Sequence, residues 1–260
     1  MKILFIGDVV ASAGCEFVRR VLPEYRKQNN IDLVIINGEN SADGNGITPF
    51  SAAHLFDSGA DVITGGNHTL RRREVHPVLD ENPFLLRPDN IKCDYGSGYC
   101  LVDMGRAHVA VINLAGVIYM DEEHTANPFT AANALIDRAK GDRANIIIVD
   151  FHAEATSEKR ALGIYLDGRV SAVIGTHTHT QTADEQIQKN GTAYITDAGM
   201  TGPEDSVLGV ESSIIISRLK DKDMSKFITA DTPCFLCGVQ LNIDEKTGKA
   251  TDISRVVLRR

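Results

Sequence analysis

The segment Asp32-Leu33-Val34-Ile35-Ile36-Asn37-Gly38-Glu39-Asn40 decides the reading of this chain. Its continuous apolar run is too short for a helix and has no polar alternation, the pattern of a strand covered on both faces. The run then breaks at a glycine and delivers a carboxylate and an amide. The same pattern recurs four times. Residues 2–7 lead into Asp8, residues 61–64 into Gly65-Gly66-Asn67-His68, residues 146–150 into His152, and residues 170–174 into Gly175-Thr176-His177-Thr178-His179.

Helical periodicity separates these strands. Residues 16–28 place Phe17, Val18, Val21, Leu22 and Tyr25 near helical spacing, with Pro23 expected to kink the helix. Residues 48–56 have Pro49 in a first turn. Residues 71–79, 127–140 and 157–166 also read as helices. Residues 99–103 and 108–113 read as paired strands around Gly105, and residues 192–196 as a further strand. A hairpin is expected from residues 239–243 and 253–258 around Glu245-Lys246-Thr247-Gly248. Alternating strands and helices predict an α/β fold. At 260 residues the length allows one or two domains. No Pro/Ser-rich linker and no repeat divides the chain, so residues 1–260 are expected to form one domain.

Composition narrows the function classes. The formal charge of −8 argues against a nucleic-acid coat or an anionic-membrane binder, and no extended nucleic-acid surface is evident. A bound metal can still reverse the local sign for a small anionic substrate. No apolar run approaches the roughly 20 residues of a membrane span, and Asp8 interrupts the N-terminal apolar stretch, which argues against a signal peptide. Five cysteines, an odd number, fit a reducing compartment, so the expected location is cytoplasmic. Cys234-x-x-Cys237 resembles half a zinc knuckle, but extended residues three apart face opposite sides, and free thiols are expected. No dinucleotide fingerprint, Walker motif or Gly-x-Ser-x-Gly elbow is present.

The strand-end residues are therefore the candidate site, because the carboxyl ends of strands line the ligand crevice of open α/β sheets. Taken singly, Asp8 reads as a helix cap, Glu39-Asn40 as a turn pair, Asn67-His68 as a helix start and His152 as a structural histidine. His177-x-His179 carries more, since extended residues two apart point the same way. Taken together, Asp8, Glu39, Asn40, Asn67, His152, His177 and His179 form a carboxylate, amide and imidazole set suited to divalent metals. Seven ligands exceed what one ion with an open position takes, whereas two ions sharing a carboxylate fit.

This order of motifs resembles the calcineurin-like metallophosphoesterases, and more narrowly their YmdB-type branch. Residues 37–42, 151–159 and 196–203 support the resemblance, which spans residues 2–253. Val10 stands where many superfamily members have a metal-binding histidine, and Glu39 replaces the usual aspartate; both are features of the branch. Leu70 stands where the branch would have an aromatic residue. The resemblance implies a sandwich of central β-sheets flanked by α-helices, with the metal site at the C-terminal ends of the strands. It implies that Asp8, Glu39, Asn40 and His179 hold one ion, that Glu39 bridges, and that Asn67, His152 and His177 complete the other. His68 would stay off the metals and face the substrate. The implied activity is phosphodiester hydrolysis, including that of 2′,3′-cyclic nucleotides.

The expected cofactor is a pair of divalent or mixed-valence ions, Mn or Fe first, with Zn or Mg as alternatives. The expected chemistry is in-line attack by a metal-bridging hydroxide, with His68 assisting the leaving group. A phosphomonoesterase or nucleotidase on the same metals is the alternative, with Arg71, Arg72 and Arg73 as candidate rim cations or, more simply, a solvated helix face. A regulatory protein with an incidental metal site is the non-enzyme alternative. An amidohydrolase places its His-x-His pair after the first strand, not a late one. Asn127-Pro128-Phe129 and residues 199–203 are candidate rim segments. A homo-oligomer is the default expectation.

Overall fold

Alternation decides how the first strand is used. In the computed structural model, which describes residues 1–120 and 124–259, Ile3 and Phe5 of β1 (Lys2–Ile6) belong to one core and Leu4 and Ile6 to another. All four are buried, so the strand is covered on both faces. The chain continues through β2 (Asp8–Val9), α1 (Ala11–Asn29), β3 (Leu33–Asn37), α2 (Pro49–Asp57), β4 (Val62–Thr64) and α3 (His76–Glu81). Next come β5 (Tyr99–Asp103), β6 (His108–Ala115), α4 (Pro128–Gly141), β7 (Ile146–His152), α5 (Thr156–Tyr165) and β8 (Ala172–Thr176). The last elements are β9 (Gln186–Ile187), β10 (Ala193–Ile195), β11 (Met200–Pro203), α6 (Ser212–Asp221), β12 (Cys234–Ile243) and β13 (Ala250–Arg259).

Two mixed sheets result. The first has the order β2-β11-β12-β1-β3-β4 with β13 on the other edge of β12, and the second β5-β6-β7-β8-β10-β9. Within the first, β1, β3 and β4 are parallel; within the second, β6, β7, β8 and β10 are parallel. Phe5, Ile35 and Val62 of the first sheet pack with Val111, Ile148 and Ile174 of the second, forming the central core. The outer face of the first sheet packs on Phe17, Val18 and Leu22 of α1 and Leu55 of α2. The outer face of the second packs on Leu135 and Ile136 of α4 and Leu162 of α5. Each fully buried Leu, Ile or Phe contributes about 1.5–3 kcal/mol, and the layering helix–sheet–sheet–helix follows. It agrees with the expected sandwich. Among the described residues no helix is long and apolar enough to cross a membrane.

Several local expectations change. The helix expected over residues 71–79 is two 3-10 turns, Thr69–Arg71 and Arg73–Val75, followed by α3. Arg72 has an extended backbone between the turns, and Pro77 sits in the first turn of α3, where it starts a helix rather than continuing one. Conversely, α1 continues through Pro23, held by a buried stripe from Ala11 to Leu22. Phe129 packs edge-on against Tyr165 on the core of the second sheet, so its role is packing. All five cysteines are unpaired, as expected.

One junction ties the fold to the strand ends. After β1 the chain parts from β12, and β11 enters between them: Gly7 N–H donates to Cys237 O at 3.0 Å and Asp8 N–H to Gly199 O at 3.0 Å. A side chain on Gly7 would put its Cβ 2.0 Å from Gly199 O, so only glycine permits this approach. Gly7→Ala is expected to cost about 1–3 kcal/mol through forced backbone displacement, and a Tm several degrees lower. An unchanged melting curve by circular dichroism would show that the junction is not tight.

Candidate metal centre

The parallel strands of both sheets end at one edge, and the strand-end residues meet there. Asp8 follows β1, Glu39 and Asn40 follow β3, Asn67 and His68 follow β4, His152 closes β7, and His177 and His179 follow β8. Glu39 is central. Its Oε1 lies 3.2 Å from His152 Nε2 and accepts from Asn40 Nδ2 at 2.9 Å; its Oε2 accepts from His68 N at 2.8 Å. On one side, His152 Nε2 lies 3.0 Å from both Asn67 Oδ1 and His177 Nδ1. On the other, Asn40 Nδ2 lies 3.2 Å from His179 Nε2, which is 3.7 Å from Asp8 Oδ1. His68 Nδ1 lies 2.8 Å from Asn40 Oδ1. All eight expected residues are thus brought together.

The pair His177 and His179 arrives differently from the expectation. Neither residue is extended: their φ values are +103° and +62°. The backbone turn aims His177 at His152 and His179 at Asp8 and Asn40, so the two imidazoles serve opposite sides of Glu39 rather than pointing the same way. Such positive φ costs on the order of 1–3 kcal/mol per residue and needs an anchor. Asp197 provides it. Its Oδ2 accepts from Thr178 N at 2.9 Å and Thr178 Oγ1 at 2.8 Å, and pairs with Lys159 Nζ at 2.8 Å, all buried or nearly so.

The set of donors fits cations. Asp8 and Glu39 are buried, and Asp8 Oδ1 has no hydrogen-bond partner. One atom each of Glu39, His152 and His177 falls within a 4.8 Å cluster. A Cβ on Gly66 would lie 2.2 Å from Glu39 Oε2 and 2.3 Å from His152 Nε2, so the glycine leaves the donors room. His152 is oriented by a relay: Thr176 Oγ1 donates to Asp150 Oδ1 at 2.7 Å, which leaves the Thr176 hydroxyl oxygen to accept from His152 Nδ1 at 2.9 Å. The ring therefore turns Nε2 toward three electron-rich atoms, and only a proton or a metal satisfies all of them. Glu154 Oε2 lies 3.0 Å from His177 Nε2 and similarly fixes Nδ1 as the free donor atom. Sequence reasoning gave no role to Asp150, Thr176, Glu154, Lys159 or Asp197, although all but Asp150 lie in the stretches that carry the family resemblance.

Electrostatics record the same need. Burial pushes the Asp8 carboxyl up, against the attraction of His179 and His152. Burial also works against ionised Glu39, but the His152 charge and hydrogen bond, with His68, hold it well below the carboxylate range. For His152, burial is outweighed by Glu39, Asp8 and Asp150, and its pKa rises to about 9. Burial and the positive charge of His152 push His177 down to about 3. Burial lowers His68 as well, against Glu39, so without a bound anion its ring rests neutral near pH 7.

Beside His68 a cavity of about 550 Å³ is lined by Arg71, Arg72, Lys226, Leu208 and Phe227. Arg71 and Arg72 line it while remaining solvated, as expected, but they stand at the end of a 3-10 turn rather than on a helix face; Arg73 does not line it. Of the expected rim segments, Met200 in β11 pairs with Asp8, and Asn127 caps α4.

A family model described as YmdB-like protein matches residues 4–256. The chain belongs to the YmdB-like family. It is 46% identical over 259 residues to the 2′,3′-cyclic-nucleotide 2′-phosphodiesterase of Bacillus subtilis (strain 168), covering 99% of this chain and 97% of that protein. A solved structure described as a novel phosphatase of Mycoplasma pneumoniae superposes with a TM-score of 0.94 at 32% identity, covering all of this chain and 93% of the other. The calcineurin-like phosphoesterase YfkN of Bacillus subtilis shares the fold, with a TM-score of 0.58 at 13% identity over 100% of this chain and 90% of that one. The YmdB-like sandwich is thus the calcineurin-like fold.

The charge balance gives a test. In the metal-free chain His152 keeps its proton until about pH 9, while an unfolded histidine loses it near about pH 6.5. Its contribution to stability is complete below the lower value and lost as pH rises through the higher one. A metal must displace that proton. Titrating Mn²⁺ into metal-free protein at about pH 7.5 is expected to release about one proton per chain from His152, read as a binding enthalpy that varies with the ionisation enthalpy of the buffer. A buffer-independent enthalpy would mean that His152 was already neutral.

Proposed function

We propose that this chain is a dinuclear metal-dependent phosphodiesterase acting on 2′,3′-cyclic nucleotides. The observation that carries the reading is Glu39, a buried carboxylate between two groups of donors, with His68 beside it. Asp8, Asn40 and His179 would hold one ion and Asn67, His152 and His177 the other, with Glu39 available to both. Mn or Fe suits this donor set. When bound, the ions supply positive charge for the diester's oxygens and acidify water for in-line attack. The 46%-identical relative, a 2′,3′-cyclic-nucleotide 2′-phosphodiesterase, supports the choice of substrate. Five unpaired cysteines support a reducing, cytoplasmic setting.

The remaining work falls to His68, which donates a proton to the leaving oxygen. Asn40 sets which nitrogen carries that proton. With its Nδ2 toward Glu39 and His179, Asn40 presents its oxygen to His68 Nδ1. That orientation keeps a proton on Nδ1, donated to Asn40 Oδ1, and leaves Nε2 to take up the proton that goes to the leaving oxygen. The neutral resting ring takes that second proton from solvent as the phosphate's negative charge arrives, gives it to the leaving oxygen and returns to neutral.

His68→Ala is expected to retain about two ions per chain while kcat on a 2′,3′-cyclic nucleotide falls about 10²–10⁴-fold. The loss should be much smaller on bis-p-nitrophenyl phosphate, whose leaving group needs no proton. Full activity of the variant on the cyclic nucleotide would remove His68 from the mechanism. Chelator-treated protein should turn over neither substrate.

A further inference from the structure

The cavity beside His68 is more cationic than cleavage of the cyclic phosphate requires. Arg71, Arg72 and Lys226 face a single carboxylate there, Asp43, which lies 3.6 Å from Arg72 Nη2. This concentration occurs in a chain whose formal charge is −8. The arginines are also held in place. Arg71 Nη1 donates to Asn45 Oδ1, and Arg72 Nε donates to Asn45 O at 3.1 Å. The Arg72 stem packs over Gly46, where a Cβ would meet it at 2.7 Å. Arg71 sits one 3-10 turn from His68, its N–H donating to His68 O at 3.0 Å. Exposed Leu208 and Phe227 give the same cavity an apolar wall. Preset guanidinium forks, an ammonium and an apolar wall in about 550 Å³ suit a phosphorylated nucleoside rather than a bare diester.

His68 marks the leaving-group side of the site. In a 2′,3′-cyclic phosphate the leaving oxygen belongs to the ribose, so the next anionic group outward is a phosphoryl on its 5′ oxygen. We infer that Arg71, Arg72 and Lys226 form a subsite for the 5′-phosphoryl group of a 2′,3′-cyclic nucleotide, which rests on the diesterase reading above. Two sources present that group: a free nucleotide 5′-phosphate, and the 3′ end of an oligoribonucleotide. Arg71 and Lys226 select the substrate, and neither takes part in the chemistry.

The test uses the Mn²⁺-loaded full chain with three substrates: adenosine 2′,3′-cyclic phosphate, its 5′-phosphorylated form, and a short oligoribonucleotide ending in a 2′,3′-cyclic phosphate. The 5′-phosphorylated form is expected to show a kcat/KM about ten-fold higher or more, with the gain in KM. The ratio should fall toward one in Arg71→Ala/Lys226→Ala. An oligoribonucleotide that shares the gain identifies RNA ends as the source; a gain confined to the mononucleotide identifies the free nucleotide. Equal kcat/KM for all three in the wild type overturns the subsite. If no cyclic compound is turned over, it is the diesterase reading that fails. Calorimetric binding of the two cyclic mononucleotides then judges the subsite alone: about ten-fold tighter binding of the 5′-phosphorylated form supports it, and equal affinity overturns it.

Discussion

Two carboxylates held out of water, Asp8 and Glu39, set the terms for everything around them. Burying an ionised carboxylate costs several kcal/mol, whereas one hydrogen bond to a charged group returns about 1.5–3 kcal/mol. Glu39 receives its return from His152, His68 and Asn40. Asp8 receives less: Oδ2 accepts from His177 N at 3.1 Å, and Oδ1 has no partner. The difference between the two is the part of the charge balance that only cations can close. It also explains why imidazoles, which accept either a proton or a metal, surround both groups.

The same balance dictates how rigid the surroundings must be. Donors that face one another across about 3 Å repel or compete unless held, and they are held from behind. Asn37 Nδ2 donates to Asp150 Oδ2 at 3.0 Å across the interface of the two sheets, so the relay that orients His152 also joins the layers. Asn113 bonds both the N–H and the carbonyl of Gly65, fixing the first sheet's glycine turn from the second sheet. The buried Lys159–Asp197 pair anchors the turn that carries His177 and His179. Fold and site are therefore one polar network wrapped by apolar cores.

Much of this was legible in the sequence for a simple reason. A strand covered on both faces must be apolar along its length, so a sudden carboxylate, amide or imidazole at its end stands out. Asp8, Glu39, Asn67 and His152 were visible in that way, and α1 by its stripe of apolar residues. What stayed hidden depends on contacts between distant segments. The two-residue β2 exists only because β11 pairs with it. The helix α6 buries none of its side chains, so no core requirement marks it. The opposed aims of His177 and His179 follow from positive φ, which residue spacing cannot encode. Asp150 and Asp197 look like ordinary strand-end acids until their partners are known.

Charge distribution links the acidic surface to the cationic cavity. At physiological salt the field of an exposed charge fades over about 8 Å, so the net charge of −8 repels an extended polyanion more than it repels a small ligand already at the site. A polyanion lying along the surface must cross many acidic contacts, whereas a single nucleotide or a chain end need reach only the strand-end donors and the cations beside His68. The protein thereby separates two requirements that a basic nucleic-acid binder merges. In the proposed reading, attraction comes from the cations beside His68, while the net charge opposes a polyanion lying along the surface. In that arrangement a guanidinium one turn from the proposed acid acts at short range, where salt screens it least.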